Sequence, residues 1–153
     1  MQKLILRVLL LLMLPIGANA QRLIYNERAP KIEGKEIITG AKAIKDRPTY
    51  IDFFVLDSPQ NDEQLKMLEK ISNIYNNQMN FILISKDSKE ELMKFFEGKN
   101  PSYTVLLDLD GRTFKNYNIK FIPFSVLIDK KGVFIWQGKN STITGSILDQ
   151  VLK

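Results

Sequence analysis

The chain has 153 residues, with 22 basic against 17 acidic side chains, a formal charge of +5, and neither cysteine nor histidine. The missing thiols exclude disulfides and thiol exchange within the chain, because thiolate is the nucleophile there. The missing imidazoles exclude a Ser-His-Asp arrangement, and the two absences together exclude the common Cys/His zinc and copper sites. The basic excess is mild and spread along the chain, so it describes a solvated surface and not a nucleic-acid partner. Carboxylate, lysine, tyrosine and Ser–Lys chemistry stays open.

Residues 1–20 read as a secretory signal peptide. Lys3 and Arg7 make a positive start, 8–14 is an unbroken apolar run, Pro15 and Gly17 break it, and Ala18-Asn19-Ala20 gives a small-x-small cleavage site. The run is short for a bilayer core of about 30 Å, so no stable membrane span is expected after cleavage. No cysteine follows the site to carry a lipid. Residues 21–153 then form one domain, a length that supports its own core.

Along that domain, 21–28 is a polar lead-in and 29–38 an extended segment. Asp46-Arg47-Pro48 marks a turn, and 49–56 (TYIDFFVL) is an apolar run broken only by Asp52, as in a strand covered on both faces. Ser58-Pro59 is expected to open a helix, with Ser58 as the N-cap and Pro59 in the first turn. Asp62 and Glu63 complement its dipole, and Leu65, Leu68, Ile71, Ile74 and Tyr75 form its buried stripe. A strand at 79–85 follows, then a helix at 89–97 stopped by Gly98, with Leu92, Met93 and Phe96 as its core face. A strand at 103–107, a turn and short helix at 108–117, and a strand at 124–128 come next. The loop Asp129-Lys130-Lys131-Gly132 returns the chain as a hairpin through 133–136, and a helix at 144–152 closes it. This order predicts an α/β domain with a mixed central sheet flanked by helices on both faces.

Two further patterns carry little. Leu107-Asp108-Leu109-Asp110-Gly111 has the flavour of a calcium loop, but registering Gly111 at the turn puts Leu106 and Tyr117 where acidic ligands are needed. Asn140-Ser141-Thr142 fits a glycosylation sequon, a pattern common by chance. Neither a metal nor a cofactor is expected.

Three segments together resemble the thioredoxin-like superfamily, in its exported TlpA/ResA-like, or redoxin, branch. Asp52-Phe53-Phe54-Val55-Leu56-Asp57-Ser58-Pro59-Gln60-Asn61 is similar to that branch's strand end followed by Cys-Pro-x-Cys, with Ser58 and Asn61 on the two cysteine positions. Tyr117-Asn118-Ile119-Lys120-Phe121-Ile122-Pro123 resembles the segment ending in the family's cis-proline, and Val126 to Gly132 the strand and hairpin after it. Ala29-Pro30 and Gly34-Lys35 resemble its lead-in.

The resemblance implies a thioredoxin-like fold whose redox motif has become Ser58-Pro59-Gln60-Asn61. Ser58 is then a helix cap and Asn61 an exposed polar side chain. Asp52 sits where the family often keeps a buried acid to move protons. It is read either as a retained relay or ligand contact, or as a carboxylate held by a lysine, a hydroxyl or water. The family's cis-proline lies beside a groove that pairs with extended peptides, implying a candidate peptide-binding surface of Phe54, Leu56, Asp57, Phe121, Ile122 and Pro123. The expected protein is a redox-inactive periplasmic or secreted module that binds a peptide or protein partner in the cell envelope. The alternatives are an oxidoreductase component acting with a thiol-bearing partner, and a structural accessory subunit of an envelope assembly.

Overall fold

A computed structural model describes residues 25–153; the signal-peptide reading of 1–20 lies outside them. Six strands form one mixed sheet in the order β1-β4-β3-β2-β5-β6. These are β1 (Glu36–Thr39), β2 (Thr49–Phe54), β3 (Asn80–Ser85), β4 (Thr104–Leu107), β5 (Phe124–Ile128) and β6 (Phe134–Gly138). The helices are α1 (Asn61–Tyr75), α2 (Lys89–Phe96), α3 (Arg112–Asn116) and α4 (Gly145–Gln150), with a 3-10 turn at Asn140–Thr142. β2, β3 and β4 run parallel and are joined through α1 and α2, while β1, β5 and β6 run antiparallel to their neighbours.

β2 is central, pairing with β3 on one side and β5 on the other. Its alternation sends Tyr50 and Phe54 to one face and Ile51 and Phe53 to the opposite face. On the first face they pack with Leu68 and Ile71 of α1, Leu92 and Phe96 of α2, and Leu148 and Val151 at α4. On the second, Ile51 and Phe53 meet Phe114 of α3 and the adjacent Tyr117. Helices therefore cover both faces, as the sequence predicts. With no disulfide to constrain the unfolded chain, these two layers hold the fold, each fully buried large apolar side chain contributing about 1.5–3 kcal/mol.

Some boundaries and faces differ from expectation. β2 stops at Phe54 because the chain turns at once, Ser58 N–H donating to the Val55 carbonyl at 3.2 Å. Ile74 and Met93, expected in helix stripes, are 61% and 53% exposed. α1 buries Gln64, Leu68, Ile71 and Ser72, and Ile74 falls one step round the helix from Ile71. On α2 the buried pair is Leu92 and Phe96, spaced by four, which turns Met93 outward. The helix stop at Gly98 matches the sequence reading, its φ of +70° being one that side chains resist.

Candidate functional site

The row Tyr50–Asp52–Phe54 faces α1, and Asp52 is its one polar member, fully buried. Three neutral donors converge on its carboxylate. Gln64 Nε2 of α1 donates to Oδ1 at 2.8 Å, Ser125 Oγ of β5 to Oδ1 at 2.9 Å, and Asn140 Nδ2 of the 3-10 turn to Oδ2 at 3.1 Å. The Gln64 amide also donates to the Phe53 carbonyl at 2.9 Å, and the Asn140 amide to the Gln64 carbonyl at 2.8 Å. Burial pushes the Asp52 carboxyl up to about 7, and the three hydrogen bonds pull the other way without cancelling it. The Tyr50 hydroxyl, buried in the same row without a partner among the described residues, is driven well above its ordinary value by burial and then by the charge on Asp52.

At the end of β2, two turns in succession carry the chain into α1. After the first, Asn61 N–H donates to the Ser58 carbonyl at 3.2 Å. The loop is tied down from both sides: Leu56 N–H donates to Asp87 Oδ2 at 2.8 Å, and Asn61 Nδ2 to the Leu56 carbonyl at 2.7 Å. This corrects the expectation that Ser58 caps the helix. The turn through Ser58 uses up that register, and the ladder of α1 begins with Gln64 N–H on the Gln60 carbonyl at 2.9 Å. The N-cap is Gln60, with no side-chain capping bond. Ser58 Oγ instead accepts from Gln60 N–H at 3.4 Å and meets Gln60 Oε1 at 3.1 Å. Asn61 is likewise corrected: its side chain turns inward as a brace for the loop instead of facing solvent.

Across from this loop, Phe121–Pro123 forms a bend before β5, and the Ile122–Pro123 peptide bond is cis. Phe121 is 59% exposed and stands edge-on against Phe124, ring centroids 5.3 Å apart. Ile122 and Phe124 pack down onto the second core layer. Beside Pro123 lies a recess of about 140 Å³ walled by Gln60, Glu63 and Gln64 on one side, Ile122 and Pro123 on another, and Lys139, Asn140 and Ser141 on the third.

Of the residues singled out from the sequence, the structure brings Gln60, Ile122 and Pro123 to this recess and puts Asp52 directly behind it, through Gln64 and Asn140. Asp57, Pro59 and Phe121 are exposed or partly so, and none of them lines it. Phe54 cannot belong to a surface: it is fully buried in the first core layer, its ring 5.9 Å from that of Phe95. Leu56 packs partly into the same layer. Alternation along β2 decides this, since Phe54 shares the α1 face with Tyr50.

Sequence reasoning misses Gln64, Ser125 and Asn140. Gln64 leaves one trace, a polar residue four positions before Leu68 and so on the buried stripe of α1. Asn140 is 2% exposed and its amide is spent on Asp52 and Gln64, so the sequon there is closed to a glycan in the folded protein. The calcium-like stretch is also accounted for: Asp108 is buried and accepts from Thr113 N–H, Thr113 Oγ1 and Phe114 N–H, anchoring the start of α3.

Comparison with known proteins agrees with this geometry. Among solved structures, a candidate thiol-disulfide oxidoreductase from Bacteroides vulgatus superposes with a TM-score of 0.73 at 19% identity, over 89% of this chain and 100% of that one. A candidate thiol:disulfide interchange protein DsbE from Chlorobium tepidum gives 0.72 at 19% identity, over 86% and 99%. A secreted Mycobacterium tuberculosis disulfide oxidoreductase gives 0.54 at 19% identity, over 70% and 79%. At these identities the likeness establishes a thioredoxin-like fold. No curated protein matches the chain significantly. The AhpC/TSA family model matches residues 25–137, the span from the lead-in through β6 that carries the loop, the cis-proline bend and the buried acid, and the chain belongs to that family.

Proposed function

We propose that this protein is an exported, redox-inactive thioredoxin-like module that holds an extended peptide segment of a partner against the surface beside Pro123. The observation that carries the reading is a pairing of loss and retention. The chain has no cysteine, so the positions of Ser58 and Asn61 cannot exchange disulfides. Yet the loop they occupy is braced by Asp87 and Asn61 and still walls a recess opposite a cis-proline. Phe121 stands exposed next to it, an aromatic group with area to bury against an incoming chain. Among the described residues the Ser58 hydroxyl hydrogen-bonds only with Gln60, which is not a base that could activate it. Export is supported by the leader pattern of residues 1–20.

Two measurements test the reading. Insulin reduction by the purified protein should stay at the uncatalysed rate; turnover that co-purifies with it through orthogonal columns would end the redox-inactive assignment. Extended peptides selected on the immobilised protein should bind with an affinity that drops about tenfold in Phe121→Ala, the loss typical of removing an aromatic anchor worth more than 1 kcal/mol. Selected peptides whose binding ignores Phe121 and leaves the amide signals of Ile122 and Ser141 unmoved would place the partner surface elsewhere.

A further inference from the structure

Two of the three walls of the recess beside Pro123 are each held by one buried side chain. Of residues 60–64, at the start of α1, only Gln64 is buried; of residues 139–142, around the 3-10 turn, only Asn140 is. The third wall, Ile122–Pro123, runs straight into β5, where Ser125 is the register partner of Asp52, so the backbone ladder fixes it. The two walls outside the sheet have no such ladder.

Both buried amides reach the same carboxylate, one on each oxygen. Gln64 Nε2 donates to Asp52 Oδ1 at 2.8 Å and Asn140 Nδ2 to Oδ2 at 3.1 Å. Each has one other acceptor, the Phe53 carbonyl for Gln64 and the Gln64 carbonyl for Asn140. Hydrogen bonds to an ionised acceptor are about twice as strong as neutral ones. A proton on Asp52 removes that charge and sets an O–H among three donors. The Ser125 hydroxyl can rotate to receive it. Neither amide can reverse without turning its oxygen on a backbone carbonyl. Protonation therefore leaves each wall its second bond and weakens the first.

Other titratable groups do not confuse the response. The hydroxyls of Tyr50, on the same strand, and Tyr103, just before β4, feel the Asp52 charge, and burial foremost pushes both upward, so they stay neutral around pH 7. α1, β5 and the 3-10 turn present Gln64, Ser125 and Asn140 to the carboxylate, all uncharged. The charged side chains of the recess, Glu63 and Lys139, are exposed.

We infer that Asp52 is the positioning residue of the partner surface: its ionised form holds the first turn of α1 and the 3-10 turn at the spacing a bound segment meets, so binding beside Pro123 is linked to proton release from Asp52. The link to binding rests on the partner reading above; the hold on the walls does not. Walls already in place cost less to order on binding. Burial sets the carboxyl at about 7, which puts the change near neutral pH. Binding then tightens as pH rises.

The test follows peptide affinity and wall order from pH 5.5 to pH 8.5. Peptides selected on the immobilised protein are capped and free of histidine and cysteine, so that they carry no group titrating in this window. Their Kd should fall about fivefold with rising pH in the wild type and stay level in Asp52→Asn. Amide relaxation of Gln60 and Ser141 should show more order at pH 8.5 than at pH 5.5 in the wild type alone. Ser125→Ala keeps the acid and removes one donor, so its midpoint should move to higher pH; this decides the matter if Asp52→Asn does not fold. A level wild-type profile, a slope that survives in Asp52→Asn, or an unmoved Ser125→Ala midpoint overturns the inference, as do walls equally ordered at both pH values. If no peptide binds, the partner reading falls and wall order alone decides the role of Asp52. Peptides that bind at Pro123 with a level profile, on walls that ignore pH, remove that role and leave the partner reading standing.

Discussion

Replacing Asp52 by asparagine should stabilise the protein in mild base and leave it nearly unchanged in acid. Burial raises the carboxyl from 3.8 to about 7. Between those values the native state holds a proton that the unfolded chain has released, so raising the pH draws the equilibrium toward the unfolded chain. Below 3.8 both states are protonated and the stability is complete; above about 7 both are ionised and the loss is complete. The gap of roughly three pH units, at ~1.36 kcal/mol each, is worth about 4 kcal/mol. Asparagine keeps the shape and carries no charge to desolvate. It presents one amino group toward the donor Asn140 Nδ2, a mismatch that costs about 1–3 kcal/mol unless Asn140 turns. Urea unfolding followed by the sole tryptophan reads the difference, since Trp136 stacks on Tyr50 with ring centroids 6.4 Å apart. The wild-type midpoint should fall steadily from pH 4 to pH 8, and that of Asp52→Asn should stay level across the window. A wild-type midpoint that is flat or rises there would show that the buried carboxylate is compensated far better than its three neutral donors allow.

Two other substitutions test separate parts of the frame. Ser58→Cys with Asn61→Cys should form an internal disulfide under mild oxidation, because the 58–61 turn is closed by the 3.2 Å bond from Asn61 N–H and such turns bring their ends within about 7 Å; free thiols persisting after oxidation, counted by mass spectrometry after alkylation, would refute the assignment of these positions as a former redox pair. Thr113→Val should cost about 2–3 kcal/mol in urea unfolding, since the Thr113 hydroxyl accepts from Glu33 N–H at 2.9 Å and donates to Asp108 Oδ1 at 3.1 Å in a fully buried position; a loss below about 0.5 kcal/mol would mean water replaces it.

The architecture is legible in the sequence because it depends on patterns that leave a mark on every turn or strand. The run at 49–56 is apolar on both faces because β2 is paired on both edges and covered by helices on both sides. Thr144 reads as a helix start, and its hydroxyl does accept from Ile147 N–H at 3.3 Å. The site is legible only in its chain-local half. Asp52 announces itself as the lone acid in an apolar strand, but its partners lie 12, 73 and 88 residues away, and no local pattern links them. The misplaced cap at Ser58 has the same origin. Serine before proline is a good start signal, yet the competing turn at 55–58 is set by Asp87, which holds Leu56 from 31 residues away.

The polar cluster itself accounts for an acid in the middle of an apolar strand. Asp52 is the common acceptor for donors on α1, β5 and the 3-10 turn. An apolar residue in its place would remove the cost of a buried charge but leave Ser125 Oγ without this acceptor and take one of two hydrogen bonds from each of the Gln64 and Asn140 amides, in a buried region where each lost partner costs about 1–3 kcal/mol. That sum is comparable to the cost of the carboxylate, so no single apolar step away from it is clearly downhill. The same carboxylate orders the amides of Gln64 and Asn140, two residues that line the recess at Pro123.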